Sequence, residues 1–190
     1  METSRRGKIY SIGYSNRTLE EFKRLLDKCQ IEYLVDVRSR PYSKYNPDFN
    51  KDRLERYCKS NKIRYVFMGD QIGGLPDDTT CLTDGKVDYN KCRLKDSFIA
   101  GIARLVTAYE KGLQIVVMCS EGKPQDCHRS KLLGEMLRDR NIEMQHVDEI
   151  GNLISQIAVI SKIDNGQQAL FEGMSNFMSR KRHSRGEEND

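Results

Sequence analysis

The stretch from Ile115 to Leu137 constrains the fold of this chain more than any other. Ile115-Val116-Val117-Met118 is an unbroken apolar run, short enough for a buried strand. It breaks into Cys119-Ser120-Glu121-Gly122-Lys123-Pro124-Gln125-Asp126, and a periodic apolar pattern resumes at Leu132, Leu133, Met136 and Leu137. Strand, polar loop and helix follow in that order, the signature of a parallel α/β unit. In an open α/β sheet, ligands bind beyond the carboxyl ends of the strands, where Cys119, Ser120 and Glu121 would lie. Asp126 suits an N-cap, which would put Cys127, His128 and Arg129 in the first turn, where free N–H groups favour anions and thiolates.

The rest of the chain repeats this alternation. Lys8–Tyr14 reads as a first strand ending at Gly13, and Thr18-Leu19-Glu20-Glu21 is a capping box opening a helix whose apolar face is Leu19, Phe22, Leu25 and Leu26. Ile31–Val37 is a second strand with Asp36 near its end, and Ile63–Met68 a third. Lys51–Ser60 reads as a helix, and Phe98, Ile99, Ile102, Leu105, Val106 and Tyr109 mark another. After the Cys127 helix comes a last strand through Ile142, Met144, His146 and Val147. Ile150, Leu153, Ile154, Ile157, Ile160 and Ile163 then suggest one final amphipathic helix. The pattern predicts an α/β fold, a single-domain, doubly wound (Rossmann-like), mostly parallel sheet of about five strands with helices on both faces. The domain spans residues 7–164, with a long surface excursion at 69–95, and a polar C-terminal tail occupies 165–190.

Composition narrows the class. The chain has 190 residues and a formal charge of +4, too small an excess to imply nucleic acid by itself. No apolar run approaches the roughly 20 residues of a membrane span and no signal peptide is visible, so a cytoplasmic protein with no membrane contact is expected. The six cysteines, Cys29, Cys58, Cys81, Cys92, Cys119 and Cys127, are scattered as reduced thiols would be, rather than as a disulfide framework.

Taken together, Ser11–Arg17, Leu34–Pro41, Asn46–Asn50, Gly73-Gly74, Cys119-Ser120-Glu121 and Cys127-His128-Arg129-Ser130 give the chain a specific identity. In that order it resembles the domain-of-unknown-function family numbered 488. The resemblance implies a compact α/β domain and a site at these motifs, and leaves the reaction open.

Candidate catalytic residues are Cys119, Glu121, Cys127, His128 and Arg129. Cys127 beside Arg129 suits a nucleophile, with Cys119 as nucleophile or resolving thiol, and the competing reading makes both small packing residues. The first arginine after Cys119 is Arg129, so the spacing departs from the short Cys-loop-Arg of phosphatases and sulfurtransferases. A metal held by Cys119, Cys127 and His128, with Glu121, is a weaker alternative, because adjacent helical residues point about 100° apart. Candidate substrate- or phosphate-binding residues are Gly13, Tyr14, Ser15, Asp36, Arg38 and Arg40. Asp36 and Glu121 could form an acid/base pair, or Asp36 could cap a turn or pair with Arg38 or Arg129. The loop Arg38, Arg40, Tyr42, Lys44, Tyr45, Phe49, Lys51 and Arg53 mixes cations with rings, which suits a nucleotide or single-stranded nucleic acid, or it is a solvated loop whose Tyr42 and Phe49 pack down as anchors.

The expected function is therefore transfer or hydrolysis on a nucleotide or nucleic acid in a thiol- and arginine-containing, anion-binding crevice. The rival is a non-catalytic nucleic-acid or protein-binding module with structural cysteines. No cofactor is named by the sequence. In the tail, Gln167, Leu170 and Phe171 have the spacing of the short peptide that docks on the bacterial sliding clamp, or they fold back as a staple.

Overall fold

The computed structural model describes residues 6–163 and 178–182. Its centre is a six-stranded sheet. The strands are β1 (Lys8–Gly13), β2 (Tyr33–Asp36), β3 (Arg64–Phe67), β6 (Gln114–Cys119), β7 (Met144–Val147) and β8 (Leu153–Ser155), in the spatial order β3-β2-β6-β1-β7-β8. All neighbours pair in parallel except β7 with β8, which is antiparallel. The fold is thus α/β and mostly parallel as expected, with six strands where about five were read.

The sixth strand comes from the segment expected to be one final amphipathic helix. Asp148 Oδ1 accepts from the backbone N–H groups of Ile150 and Asn152, and Gly151 takes a positive φ of 91°, so the chain turns back on itself. β8 follows, and the helix is only Gln156–Ile163. Ile150, Leu153 and Ile157, assigned to the apolar face, are 80%, 40% and 64% exposed. The Asp148 turn and a three-residue strand satisfied the local backbone before helical periodicity could.

Alternation along the strands separates two cores. Tyr10, Ile12, Leu34, Val116 and Met118 face α1 (Leu19–Lys28) and α2 (Lys51–Ser60), packing with Phe22, Leu26, Leu54 and Cys58. Ile9, Val35, Ile115 and Val117 face α5 (Asp96–Glu110) and the helix that follows β6, packing with Phe98, Ile102, Leu105, Leu132, Leu133 and Leu137. β1 and β6 lie side by side, yet the chain leaves them toward opposite faces, which opens a gap at their carboxyl ends. The capping box is as read: Thr18 Oγ1 accepts from Glu21 N–H at 3.2 Å, and Glu21 Oε2 from Thr18 N–H at 2.9 Å, worth about 1 kcal/mol.

The 69–95 excursion is more than a surface loop. It carries α3 (Gly69–Ile72), β4 (Leu82–Thr83), β5 (Lys86–Asp88) and α4 (Tyr89–Cys92), and it sends Ile72, Cys81, Val87, Tyr89 and Cys92 into the α5-side core. These elements are two to four residues long, too short for any periodicity to show. β5 also pairs antiparallel with β9 (Met178–Arg182), from the sequence's tail, to complete a three-stranded sheet β4-β5-β9. The clamp-like Gln167, Leu170 and Phe171 lie outside the described residues. No helix among the described residues is long and apolar enough to cross a membrane.

Phe49 connects this frame to the crevice. It is buried, stacks on Tyr14 at 4.4 Å and meets Phe22 edge-on at 5.1 Å. Phe49→Ala should therefore destabilise the protein by about 3–5 kcal/mol, read from the urea midpoint, and a loss under 1 kcal/mol would show that the ring is not part of the core.

Candidate thiol site

The gap beyond β1 and β6 is narrow because the chain crosses it at Gly13. Tyr14 N–H donates to Cys119 O (3.1 Å) and Ser15 N–H to Ser120 O (3.0 Å), extending the ladder past the strands. The loop then folds back until a Cβ on Gly13 would overlap the carbonyl of Glu121. Only glycine permits that approach. Ser15 takes the left-handed φ of 44° that turns the chain away toward α1.

Asp126 does not cap the next helix. It ends a 3-10 turn, Pro124–Asp126, and Cys127 follows in extended conformation (φ −118°, ψ 152°), one residue outside the helix rather than in its first turn. His128 precedes a π-helical turn, Arg129–Gly134, which runs into α6 (Glu135–Arg138). The wider turn carries Arg129 inward, wholly buried. Ser130 Oγ donates to Pro124 O at 2.6 Å and holds the loop to it.

Cys119, Glu121, Cys127, His128 and Arg129, nominated together from the sequence, do converge. Cys127 Sγ is 3.0 Å from Cys119 Sγ, 3.3 Å from Arg129 Nε, 3.5 Å from Arg129 N, 3.5 Å from His128 Nδ1 and 3.4 Å from Glu121 Oε2. Burial raises the Cys127 pKa, but the hydrogen bond from Cys119, the Arg129 guanidinium and His128 outweigh it and hold Cys127 well below the ordinary thiol value. Cys119 goes the other way, raised by burial and by donating to Cys127. The pair is a Cys127 thiolate against a Cys119 thiol. His128 is raised despite its burial, because the Cys127 thiolate favours its imidazolium. Its Nε2 is buried with no hydrogen-bond partner among the described residues. Gly74 lies so close to the imidazole that a Cβ there would sit 2.6 Å from Nδ1. Glu121 is exposed, so its carboxylate can pass the thiol proton to solvent.

Cys119, Glu121 and Cys127 hold their ligand atoms within 4.8 Å of one another, the composition of a soft metal site. The geometry suits a dithiol better. Sulfurs bound to one zinc ion stand roughly 3.8 Å apart, whereas these are at 3.0 Å with a buried guanidinium against one of them.

Arg129 is held by residues that sequence reasoning passed over. Its NH2 donates to Glu121 O at 2.6 Å, and its NH1 donates to Ser11 Oγ at 3.2 Å. Ser11 Oγ is 2.6 Å from His146 Nδ1, and His146 Nε2 is 2.6 Å from Gln156 Oε1. Gln156 Nε2 donates to Ser130 O (3.0 Å) and Glu135 Oε1 (2.8 Å), which leaves Oε1 as the acceptor. His146 therefore carries its proton on Nε2, and Ser11 donates to Nδ1. Gly134 admits Gln156, since any Cβ there would overlap the amide. The only sequence signals were a serine at an inward position of β1 and a histidine in an apolar strand.

The substrate-binding candidates divide. Gly13, Tyr14 and Ser15 form the floor just described. Asp36 is wholly buried and accepts from Arg38 N, Nε and NH2 and from Tyr65 OH at 3.1, 2.9, 2.6 and 2.7 Å. It takes the arrangement in which it pairs with Arg38. Arg38, expected as an exposed loop cation, is buried, donates to Phe49 O at 2.8 Å and lies 5.3 Å from the Tyr14 ring centroid. Burial lowers its pKa, but the bonds to Asp36 more than compensate. Of the two rings read as possible anchors, Phe49 packs down into the core and Tyr42 does not. Arg40, Lys44, Tyr42 and Tyr45 are exposed, Tyr45 fully.

Because the Asp36–Arg38 pair is buried, Arg38→Ala should cost about 3–5 kcal/mol of stability, while Arg40→Ala should stay within about 0.5 kcal/mol. Equal effects in chemical denaturation would disprove the assignment. His146 gives a pH signature. Burial, then Arg129, lower its pKa from 6.5 to about 4, so the unfolded chain binds more protons between those values. Its contribution is intact above pH 6.5 and falls by about 3 kcal/mol as pH drops through about 4. Raised His128 acts in the opposite sense, so the test is a comparison: His146→Gln should flatten this acid limb of the stability profile, and an unchanged slope would refute it.

The family model described as Domain of unknown function DUF488 matches residues 18–137, more than half of the chain. No curated protein and no solved structure matches it. The match spans the Asp36–Arg38 pair, the glycines at 73 and 74 and the Cys119–Arg129 site, and the chain belongs to the DUF488 family.

Proposed function

We propose that this chain is a cytoplasmic, single-domain transfer enzyme that works through a Cys127 thiolate at the switch point of a doubly wound sheet, on a nucleotide or nucleic acid. One observation carries the reading: Cys127 Sγ receives both the side-chain Nε and the backbone N–H of Arg129, at 3.3 and 3.5 Å, inside a buried site. A thiol placed there ionises readily and is a nucleophile near neutral pH. Glu121 accepts and returns the proton, and His128 balances the thiolate's charge.

The ligand class rests on the surface beside the thiols. A groove of about 710 Å³ is lined by Tyr14, Ser15, Arg17, Tyr45, Asn46 and Ser120, and Ser120 follows Cys119 in the chain. Tyr45 offers its ring at the groove, and exposed Arg40, Tyr42 and Lys44 lie outside its lining on the same loop, where they add charge and a second ring. Arg129 shapes the site from within, each of its guanidinium nitrogens directed to a protein acceptor, and Arg38 is held through Nε and NH2 by Asp36 and Phe49 O. Docking on a sliding clamp through Gln167, Leu170 and Phe171 would bring such a domain to DNA. The second reading, a non-catalytic module, is favoured by one fact: Cys119 and Cys127 are only 1% and 2% exposed.

Iodoacetamide separates the two readings. As a thiolate, Cys127 should be alkylated at about pH 6 much faster than an unfolded-peptide thiol, Cys127→Ser should abolish the labelling, and Arg129→Ala should slow it at least tenfold. A Cys127 that reacts no faster than the unfolded control leaves the module. Arg40→Ala with Lys44→Ala should weaken binding of a fluorescent single-stranded oligonucleotide and reduce its salt dependence; unchanged anisotropy would remove nucleic acid as the ligand.

A further inference from the structure

Cys119 lies at the end of a strand and Cys127 beyond a polar loop, yet their sulfurs stand 3.0 Å apart. That is about 1 Å beyond a disulfide bond of roughly 2.05 Å, so a small movement of either side chain joins them. Such a neighbour limits what Cys127 can usefully carry. A phosphoryl or acyl group on Cys127 would be attacked at phosphorus or carbon, and Cys119 would only inherit it. A second thiol completes a reaction only when the group on Cys127 is displaced from sulfur itself. Sulfane sulfur is such a group, and so is the oxygen left by a hydroperoxide.

Oxygen is the poorer fit. Peroxide cleavage calls for a donor on the departing oxygen. In this site the guanidinium nitrogens of Arg129 are already directed, Nε to Cys127, NH1 to Ser11 and NH2 to Glu121 O, which leaves His128 Nε2, unpartnered among the described residues, as the donor that a departing oxygen would have to reach. A persulfide needs no such donor, because its leaving group is a thiol sulfur that departs readily.

Building on the assignment of Cys127 as nucleophile, we infer that the group transferred is a single sulfur atom, taken from a small persulfide by Cys127 and released by Cys119. In the first step the Cys127 thiolate attacks the outer sulfur of the donor R–S–S–H. A new S–S bond forms, the donor's S–S bond breaks, and the proton of the outer sulfur leaves with the thiol R–S–H, so that Cys127 holds a persulfide anion. In the second step Cys119 attacks the inner sulfur of that persulfide. The Cys119–Cys127 disulfide forms, the outer S–S bond breaks, and the sulfur departs with the electron pair and the Cys119 proton as hydrosulfide. Hydrosulfide is the nucleophile delivered to the acceptor. An external dithiol then reduces the disulfide and restores both cysteines. The low exposure of the two sulfurs keeps the persulfide from water and from bulky thiols.

The test uses the full chain with cysteine persulfide as the probe, in wild type, Cys119→Ser and Cys127→Ser. Cys119→Ser should gain one sulfur atom on Cys127 by intact mass and peptide mapping. Wild type should instead lose two hydrogens and release one equivalent of sulfide per chain. Cys127→Ser should do neither, and circular dichroism checks that it folds. Failure to load Cys119→Ser, or loading without sulfide release in wild type, overturns the inference. So does hydrogen peroxide forming the disulfide faster than the persulfide does. In each of these cases rapid alkylation of Cys127 would leave the nucleophile standing, and slow alkylation would remove both readings together.

Discussion

A buried guanidinium holds this site together. Arg129 is wholly inaccessible, and an isolated charge at such depth would cost several kcal/mol. It is tolerated because each nitrogen has an acceptor: the Cys127 sulfur, the Ser11 hydroxyl and the Glu121 carbonyl. The acceptors belong to three separate stretches: β1, the start of the loop after β6, and Cys127, two residues before the π-turn. Arg129 thereby fixes their mutual positions, and its partners account for the local geometry around them. The β6 loop must fold over β1 to bring the Glu121 carbonyl within reach, which requires glycine at 13. The helix must open into a π-turn to carry the side chain inward. A neutral His146 must sit behind Ser11, because a second cation there would face Arg129, and burial together with that repulsion keeps it unprotonated.

Asp36 and Arg38 repeat the device on the other side of the sheet. Burying a bidentate carboxylate–guanidinium pair gains little stability over an apolar pair, but it fixes orientation. Here it sets the chain leaving β2, and with Tyr14 and Phe49 it closes the α1-side core beyond the carboxyl ends of β1 and β2. Arg129 is closed by its own acceptors, whereas Arg38 is held by Asp36 and Phe49 O with its NH1 left without a partner among the described residues, and the exposed cations of the basic loop are Arg40, Lys44 and the Asp48-paired Arg53. The division of labour is positional: internal arginines shape the crevice, and external ones face solvent.

The cysteine site was legible from the sequence because its parts lie within eleven residues of one another, on a strand, a loop and a helix start that each carry a local signal. The capping box at Thr18 and the helices on Phe22 and Leu26 or Phe98 and Ile102 were legible for the same reason. What stayed hidden depends on contacts distant in sequence. Ser11 and His146 meet across 135 positions, and nothing local says that an inward serine will receive a histidine or that Gln156 will close the chain behind it. Asp126 looked like a cap because Asp is a good one, but the loop used the preceding proline for a 3-10 turn and placed Cys127 in extended backbone. Arg38 looked exposed because polar loops usually are. Its pairing with Asp36, two residues away, was among the readings the sequence offered; what no local pattern showed is that Phe49 and Tyr14, from elsewhere in the chain, bury the pair.

The two sulfurs show how one contact makes two different functional groups from the same residue type. Cys119 and Cys127 are equally buried, so desolvation opposes ionisation of both alike. Only one proton can lie between them at 3.0 Å, and whichever sulfur loses its proton becomes the acceptor for the other. Arg129 decides which. Its Nε and its backbone N–H both point at Cys127 and none of its nitrogens reaches Cys119, so the negative charge settles on Cys127. His128 adds to the bias from the adjacent position. The asymmetry thus comes from the placement of Cys127 just ahead of the π-turn, where side chain and backbone of Arg129 converge on it.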